Sequence, residues 1–557
     1  MNRTIRLVLI ALVLACSAVG AVARAQVENS TGTNVQEGDN RSTSRQEGRS
    51  SSGDAVGGQV TGVVSSGNTS VDARNVSEDS DITSGNATGE NVINAFTGEN
   101  VTNGTTNIGP GAADISNVNA TNVQDGSNRS TFTQTASYTT GDGVGGQVIG
   151  AVTAAGGTTR IVGWNRSTNV SIQTGDADGA NAIAAFTGLD FSDTLAVSAA
   201  DIDGSCNEIC ANVQDGSNRT SVRQSSTAAS GDGVAGQVIG AVSSGRTSID
   251  ATNRSDGVDV VTGNADSNNE ASLFTGLNSG SATAVGPGAA DVESSCDFCE
   301  NVQDGSNQTT VDQSSTATTG DAVGGEVIGA VTSAGGSASI VASNTSTDSD
   351  VTTGDADSLN ALASFTGLNS VATTTVIAAD VDGTCLFVLC GNVQDGGNRL
   401  RAAQTARANT GDGVGGQVLG VVSAGAASLD AINRSDRVSV ASGNANASNS
   451  ASEVVGLNLA GEGPTNVGGG IASDVDGVNA SNVQDGDNRR TLNQAADATS
   501  GDAVGGQVAG VVTSAGGTAS AVLSNTSTDI ESTSGEATFD NTDDGFVGLD
   551  TTGTLAD

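Results

Sequence analysis

Short runs of alternating apolar and polar residues, separated by glycine-containing turns, recur along the whole chain. Examples are STFTQ after Arg129, QVIGAV after Gly146 and TTRIV after Gly157. β-Branched residues and Thr on a two-residue period predict short strands. Pairs such as Gly141-Asp142 predict turns, because Gly accepts a positive φ and Asp hydrogen-bonds to nearby backbone. The pattern therefore predicts an all-β protein.

These strands and turns belong to a long internal repeat. The motif NVQDG starts at Asn122, and near-copies start 88 to 91 residues apart at Asn34, Asn212, Asn301, Asn392 and Asn482. A fixed period of this kind predicts a repeat architecture. The chain is accordingly divided into 1–25 (signal peptide), 26–33 (a short N-terminal segment), the repeats 34–121, 122–211, 212–300, 301–391 and 392–481, and a truncated repeat 482–557.

Small interior residues and glycines at regular corners favour an elongated β-solenoid. In such a fold each coil pairs its backbone with the coils above and below, so a thin core of Val, Ile and Ala is sufficient. Aromatic residues make up only 2% of the chain. The alternative is a row of small β-sandwich domains, one per copy, although sandwiches usually need larger core residues and fewer glycines.

Alternate copies differ in length. The distance between the two Gly-(Asp/Asn) turns of a copy is 32 residues from Gly53 to Gly85 and 34 from Gly141 to Gly175, and this alternation continues to the end. The longer copies carry Ala-Gly-Gly, first at residues 155–157. We expect this two-residue insertion to form a small bulge on one side of every second coil.

The first residues resemble an export signal. Arg3 and Arg6 precede an apolar run, and Ala23-Arg24-Ala25 fits cleavage before Gln26. The run is too short to span a bilayer and is typical of a secretory signal peptide. Lipidation of Cys16 is the alternative. No later segment is apolar and long enough to be a transmembrane segment, so we expect an extracellular protein, either secreted or held at the cell surface.

The charge of the chain excludes some partners. Without the three Arg of the leader, 18 basic residues face 62 acidic ones, a net charge of −44. Such a charge keeps chains apart and disfavours nucleic acid or an anionic membrane surface as a partner. With no His, no Lys and one Tyr, the chain offers no nucleophile–base constellation, so we expect no enzyme activity and no cofactor.

Six cysteines lie in three close pairs, each just before an NVQDG start. In an exported protein such pairs predict local disulfides. Their uneven spacing and the lack of His disfavour a zinc site, and cross-links between molecules are the alternative. The residues are Cys206, Cys210, Cys296, Cys299, Cys385 and Cys390.

Acidic turns are a second candidate site. Asp54, Asp142, Asp232, Asp321, Asp412 and Asp502 occupy one position of the repeat, and Asp176 and Asp355 occupy its half-repeat equivalent. Stacked carboxylates repel each other unless solvent or a cation intervenes. We expect a solvated acidic face, with calcium binding as the alternative. Many N-x-S/T sequons, including Asn128 and Asn165, are interpreted as a weak sign of exposed surface.

The start of each copy resembles a known family. Gln124-x-Gly126-x-Asn128, followed by Gln134, is similar to the Gln-x-Gly…Asn…Gln pattern of curlin repeats, the subunits of bacterial curli amyloid fibres. The resemblance implies a β-solenoid whose Gln and Asn side chains form hydrogen-bonded ladders between coils, and polymerisation through exposed end coils. The ladder residues it implies are Gln36, Asn40, Gln124, Asn128, Gln214, Asn218, Gln303, Asn307, Gln394, Asn398, Gln484 and Asn488.

The sequence therefore predicts a self-associating structural protein of extracellular fibres, a matrix or a surface layer. The alternative is a monomeric cell-surface adhesin or stalk, with calcium binding as an added feature.

Overall fold

The computed structural model describes backbone and side chains for residues 39–98, 127–153, 157–188, 217–276, 306–332, 336–367, 397–456, 487–513 and 517–548, and describes the backbone alone for strands in the joints between them. The predicted signal peptide, 1–25, lies outside the described residues. All described elements of regular structure are strands, and all of their pairings are parallel.

Five six-stranded sheets, numbered I to V in chain order, form the fully described part of the fold. Sheet I contains Asn40–Ser51, Asn128–Thr139, Asn218–Ala229, Asn307–Thr318, Asn398–Asn409 and Arg489–Thr499. Sheet II contains Ala55–Val56, Gly143–Val144, Gly233–Val234, Ala322–Val323, Gly413–Val414 and Ala503–Val504. Sheet III contains Gln59–Ser65, Gln147–Thr153, Gln237–Ser243, Glu326–Thr332, Gln417–Ser423 and Gln507–Thr513. Sheet IV contains Thr69–Thr83, Thr159–Gln173, Thr247–Val261, Ala338–Thr352, Ala427–Ala441 and Ala519–Thr533. Sheet V contains Ala87–Thr97, Ala177–Thr187, Ala265–Thr275, Ala356–Thr366, Ala445–Val455 and Ala537–Val547.

Three further sheets lie in the joints. Sheet VI contains Asn100–Val101, Asp190–Phe191, Asn278–Ser279, Asn369–Ser370, Asn458–Ala460 and Asp550–Thr552. Sheet VII contains Thr105–Ile108, Thr194–Val197, Ala282–Ala289, Thr374–Ala378 and Asn466–Val467. Sheet VIII has ten strands, which are Val27–Glu37, Asp114–Asp125, Asp201–Asp203, Cys210–Asp215, Asp291–Glu293, Phe298–Asp304, Val381–Asp382, Leu389–Asp395, Val475–Asp476 and Ala480–Asp485. The first of these pairs with Asp114–Asp125, so the predicted repeat boundary at residue 34 falls inside a strand.

Neighbouring strands of each sheet come from successive copies and pair in equivalent register. Gln134, for example, lies opposite Gln46 on one side and Gln224 on the other. One copy therefore makes one coil of a parallel stack, and the prediction of a β-solenoid is confirmed. The alternative of one β-sandwich per copy is wrong, because each copy contributes only one strand to each of these five sheets.

Each coil is a flattened loop of two layers. The chain runs through sheets I, II and III, reverses direction, and returns through sheets IV and V. Sheet I packs on sheet V, and sheets II and III pack on sheet IV. Side chains that face inward thus form two cores, which we call the first core (between sheets I and V) and the second core (between sheets II/III and IV).

The two Thr-Gly-Asp-type turns of a coil meet where the cores adjoin. One turn links sheet I to sheet II and the other links sheet IV to sheet V. The hydroxyl of Thr174, in the second turn of coil two, donates to the carbonyl oxygen of Gly231, in the first turn of coil three, at 2.9 Å. This bond ties the two layers together at the middle of the flattened loop.

The two facing layers are offset from each other along the stack by about half the spacing between coils. The side-chain amide of Gln134 in sheet I donates to the carbonyl of Asn91 in the preceding coil at 3.0 Å and to that of Ala182 in its own coil at 3.1 Å. A sheet I strand therefore lies between two sheet V strands. The chain climbs continuously, as in a screw.

A local irregularity in sheet IV changes which residues face inward. Asn169 has a φ of 51°, and its equivalents Asp79, Gly257, Asp348, Arg437 and Asp529 also have positive φ. Before this position the odd-numbered residues of Thr159–Gln173 are buried, and after it the even-numbered ones are. Because every strand of sheet IV has a positive-φ residue here, the register between strands is kept and the alternation shifts by one in all of them.

The two-residue insertion of the longer copies falls in the turn between sheets III and IV. Thr153 lies opposite Ser243, and register resumes with Thr159 opposite Thr247, so coil two has two more residues in this turn than coil three. The predicted bulge itself, at residues 154–156, 333–335 and 514–516, lies outside the described residues.

Candidate functional site

One column of Asn side chains runs through the first core along the entire described stack. Each side-chain amide Nδ2 donates to Oδ1 of the equivalent Asn in the next coil, at 2.8–2.9 Å. The column contains the predicted residues Asn40, Asn128, Asn218, Asn307, Asn398 and Asn488. Its members in the inner coils are buried, as at Asn128, which is 1% exposed. Each Asn thus bonds to its copy in the neighbouring coil.

The predicted Gln column of the joints is visible only as backbone. Gln36, Gln124, Gln214, Gln303, Gln394 and Gln484 lie opposite one another in the parallel register of sheet VIII. Their side chains lie outside the described residues. The register is compatible with a ladder, and the ladder itself stays a prediction at these positions.

A Gln column in the first core completes the motif. Each Nε2 donates to Oε1 of the equivalent Gln in the preceding coil at 2.8–2.9 Å. The members are Gln46, Gln134, Gln224, Gln313, Gln404 and Gln494. Unlike the Asn amides, these amides donate toward the N-terminal end of the stack.

Two further Asn columns were missed by the sequence analysis. In the second core Asn75, Asn165, Asn253, Asn344, Asn433 and Asn525 are joined by Nδ2–Oδ1 hydrogen bonds of 3.0–3.2 Å. In the first core Asn91, Asn181, Asn269, Asn360, Asn449 and Asn541 are joined at 2.8–2.9 Å. Both columns could have been found from the sequence, because each has an Asn at the same position of every copy.

Many of the sequons belong to these columns, and their interpretation as exposed surface is wrong at the column positions. Asn165 is fully buried and Ser167, two residues later, is 1% exposed. Residues i and i+2 of a strand share a face, so a strand that points Asn and then Ser or Thr into the core spells N-x-S/T. At these positions the N-x-S/T motif therefore indicates polar side chains that face into the core. Asn68, in an exposed turn, is a different case.

The second core contains another column of glutamines, interrupted by an acid. Its members are Gln59, Gln147, Gln237, Glu326, Gln417 and Gln507. Glu326 is fully buried, and its Oε2 accepts a hydrogen bond from Nε2 of Gln417 at 3.2 Å. Its Oε1 has no hydrogen-bond partner. Burial raises the pKa of the Glu326 carboxyl well above its usual range, and the hydrogen bonds only partly oppose this.

The acidic turns form a backbone-binding column. Oδ1 of Asp142 accepts the backbone N–H of Asp232 in the next coil at 2.9 Å, and equivalent bonds run from Asp54 to Asp502. The hydroxyl of Thr140 accepts the N–H of Gly231 at 2.8 Å. The Thr-Gly-Asp motif therefore binds the turn of the following coil through two side chains.

These stacked carboxylates perturb one another. Burial, followed by the charges on Asp142 and Asp321, raises the pKa of Asp232, although a backbone hydrogen bond opposes the shift. On the outer face of sheet V, burial and then the neighbouring charges on Asp357 and Asp178 raise the pKa of Asp266 to about 6. Within the described ranges no group of three or more His, Cys, Asp or Glu residues is arranged to hold a metal ion.

The cysteines fall in the joints. Cys210, Cys299 and Cys390 lie opposite one another in the backbone register of sheet VIII. Cys206, Cys296 and Cys385 lie outside the described residues, as do the side chains of all six, so the predicted disulfides stay predictions.

Among the described residues, the strands at the two ends of the stack pair on one side only. Asn40–Ser51 and Arg489–Thr499 are the outermost strands of sheet I. Gln134 is fully buried, whereas Gln46 and Gln494 at the ends are half-buried. Every residue of Ala537–Val547, the last strand of sheet V, is exposed. The end coils therefore present to solvent the same surfaces that inner coils bury against one another.

Comparison with known proteins adds no relative: no protein-family model, no curated protein and no solved structure matches this chain. The resemblance to curlin repeats rests on the Gln, Gly and Asn positions of the motif alone. In the part of the chain that the structure describes, no helix has the length and apolar character needed to cross a membrane.

Proposed function

We propose that this chain is a secreted structural protein whose stacks join end to end into extracellular fibres, a matrix or a surface layer. The observation that carries the proposal is the pair of open ends, each of which presents the complement of the other. Unpaired strand edges are templates for further strand pairing. An end coil whose strand edges are unpaired can add another copy in the same register that joins its own coils.

The direction of the side-chain columns makes the two ends complementary. All three Asn columns donate toward the C-terminal end, so that end offers Nδ2 of Asn488 and the other end offers Oδ1 of Asn40. The Gln column of the first core donates the opposite way, which leaves Oε1 of Gln494 at the C-terminal end. Head-to-tail contact between two copies continues every column, whereas head-to-head contact opposes like atoms.

Charge supplies a control on this assembly. If the register of the stack continues into a second copy, Glu90 lies opposite Asp540 and Asp81 lies opposite Glu531. Arg49 lies opposite Asp497. Together with the net charge of −44 on residues 26–557 (18 basic and 62 acidic residues), the repulsive pairs outweigh the attractive one. Salt should therefore accelerate assembly by screening.

A backbone substitution at the open edge tests the proposal. Asn40 and Ser52 donate their N–H groups to coil two at 3.0 and 3.1 Å. In a parallel ladder the residues of intervening parity bond to the other neighbour, so the N–H of exposed Thr43 points to the open edge. Thr43→Pro removes that N–H and spares the bonds to coil two. Thr43→Val is the matched control, since it keeps the N–H.

We expect electron microscopy of 26–557 to show long uniform filaments for the wild-type chain and Thr43→Val, and short rods for Thr43→Pro. Filaments should form faster in NaCl. CaCl2 at matched ionic strength separates screening from calcium binding. Short rods for all three proteins at every salt concentration would contradict the proposal and favour a monomeric stalk or adhesin.

A further inference from the structure

The outer face of sheets II and III is apolar in all six coils. Five consecutive outward positions read Val, Gly, Val, Gly, Val in every coil. Coil one has Val56, Gly58, Val60, Gly62 and Val64, and coil three has Val234, Gly236, Val238, Gly240 and Val242. The other coils carry the same residues at 144–152, 323–331, 414–422 and 504–512. We call this surface of 18 Val and 12 Gly the valine–glycine face.

On the valine–glycine face the outward positions are identical between coils, whereas the inward positions of the same strands differ from coil to coil. The side chains that face inward vary from coil to coil, as at Thr61, Ile149, Leu419 and Ala509, whereas the outward positions do not vary. Many of the valines are well exposed; Val242, in an inner coil, is 50% exposed. In a chain with a net charge of −41, none of these outward positions is charged. A contiguous apolar surface of this extent indicates an interaction site.

The stack requires one of the two glycine columns. A Cβ on Gly146 would lie 2.9 Å from the carbonyl oxygen of Gly236, and one on Gly325 would lie 2.8 Å from that of Gly416. The backbones of successive coils approach too closely there for a side chain. This column is therefore explained by the fold.

The other glycine column is not required by the stack. A Cβ on Gly150, Gly240 or Gly329 would lie 3.6–3.9 Å from its nearest neighbour, which is ordinary van der Waals contact, and one on Gly420 would meet nothing within 4 Å. Gly in a strand interior is less favourable than a residue with a side chain, and it marks places where another chain approaches closely. The column thus preserves a groove between two valine ridges.

We propose that the valine–glycine face binds the same face of a second copy of this chain. A two-fold axis parallel to the stack, placed between a Val column and the neighbouring Gly column, sets ridges opposite grooves on both partners. Both copies then use the same surface, as a closed symmetric dimer requires. Flat sheets with alternating large and small residues interdigitate in this way in dry sheet-to-sheet interfaces.

The area agrees with this occupant. The axis lies off the centre of the face, so four of its five columns overlap, about 20 Å along the strands by about 29 Å along six coils, or roughly 580 Å² on each partner. A specific protein–protein interface buries more than about 1,000 Å² in total, and two such overlapping faces exceed this. The proposal is independent of end-to-end assembly, because the face lies along the side of the stack. If both contacts form, the filament consists of two parallel stacks.

Filling the groove formed by the second glycine column tests whether two valine–glycine faces bind each other. The variant is Gly150→Val with Gly240→Val and Gly329→Val, which adds strand-favouring side chains where the stack has room for a Cβ. The control is Ser248→Val with Ser339→Val and Ser428→Val, which adds the same side chain to three exposed positions on the outer face of sheet IV. All proteins also carry Thr43→Pro so that end-to-end growth does not alter the mass.

Sedimentation velocity of 26–557 should give twice the monomer mass for the parent and for the sheet IV control. The groove-filled variant should dimerise at least tenfold more weakly and melt no lower than the parent. If the groove-filled variant melts lower, Val238→Ser with Val327→Ser and Val418→Ser provides a second disruption of the face.

A monomeric parent at all soluble concentrations would overturn the proposal, and so would a dimer that neither disruption weakens. A monomer that co-sediments with neutral phosphatidylcholine vesicles through this face would overturn it in favour of a lipid surface. Without Thr43→Pro, the groove-filled variant should still form filaments, half as wide as those of the wild-type chain. Loss of lateral pairing is thereby distinguished from failure of end-to-end assembly.

Discussion

Two columns of glutamine run the length of the stack, one in each core, and they differ in how their oxygen atoms are used. In the first core every step from Gln46 to Gln494 is an Nε2–Oε1 hydrogen bond. In the second core Gln147 and Gln237 donate to backbone or Ser oxygens, and their Oε1 atoms have no partner. Only the second column contains an acid, Glu326.

The difference shows where an acid can replace an amide. A Gln in the first column must both donate and accept, so a carboxylate there would face the Oε1 of its neighbour. In the second column the coil-to-coil amide bond is already missing at several steps. One side-chain oxygen has no partner at Gln147, Gln237, Glu326 and Gln507. A carboxyl group at Glu326 therefore disturbs fewer bonds, although burial still opposes its ionisation.

The largest expected difference is between alanine substitutions in the two columns. Gln224→Ala removes bonds to Gln134, to Gln313 and to two backbone carbonyls, and leaves a cavity. We expect a loss of about 3–5 kcal/mol in the free energy of unfolding. Gln237→Ala in the same coil should lose about 2–3 kcal/mol, because its oxygen has no partner. Urea denaturation of both variants measures the difference, and equal losses would show that the two columns are equivalent.

Placing an acid in the first column should have the next largest effect. Gln313→Glu replaces the amide that donates to Gln224 at 2.8 Å, and at neutral pH we expect a loss of about 2–4 kcal/mol. Gln237→Glu is the control in the second column and should lose less. Thermal melts followed by circular dichroism at neutral pH compare the two. A greater loss of stability for Gln237→Glu than for Gln313→Glu would contradict the inference that an acid is better tolerated in the second column.

Glu326→Gln should have the smallest effect and the opposite sign. The pKa of Glu326 is raised above the ordinary value of 4.5, so the folded state holds the proton more tightly than the unfolded state. Its stabilising contribution is complete below pH 4.5 and is lost as pH rises toward the folded pKa. We therefore expect Glu326→Gln to raise the melting temperature at neutral pH.

This gain should disappear as the pH is lowered toward 4, because the native carboxyl is then neutral in both states. Gln417→Glu, one coil later, should show the reverse dependence relative to the wild-type chain. A gain for Glu326→Gln that is the same at pH 4 and pH 7 would contradict the ionisation argument and indicate a packing effect.

Much of the fold was predictable because the repeat itself supplies the evidence. Equivalent residues 88 to 91 positions apart predicted a stack, and the Asn128 column was expected from the resemblance to curlin repeats. The columns at Asn165 and Asn181 were missed because strand alternation alone does not give the inward parity. In sheet IV the positive-φ position at Asn169 shifts that parity within one strand.

Pairs of residues whose side-chain volumes compensate for each other across the core also could not be predicted from the sequence. Tyr138 is 2% exposed at a position where most coils have Ala, and the space for its ring is left by Gly89 and Gly179 on the facing sheet. A Cβ on Gly179 would lie 2.1 Å from the ring. Gly89 and Gly179 are 49 and 41 positions from Tyr138 in the sequence (138 − 89 and 179 − 138), so only the packing of sheet I on sheet V brings them together. The role of the acidic turns was also not predictable from the sequence. Only the register between coils shows that their carboxylate oxygens accept backbone N–H groups of the next coil.

Burial of the Asn columns has a consequence for producing the protein. Asn128, Asn165, Asn218, Asn253 and Asn307 are both sequon acceptors and buried column members. An oligosaccharyltransferase acts on the extended chain before it folds, and a sugar attached to any of these amides would replace an Nδ2 hydrogen that reaches the next coil. Secretion from yeast or mammalian cells should therefore yield a glycosylated chain that cannot close its coils, whereas a bacterial host without that enzyme should yield the stack.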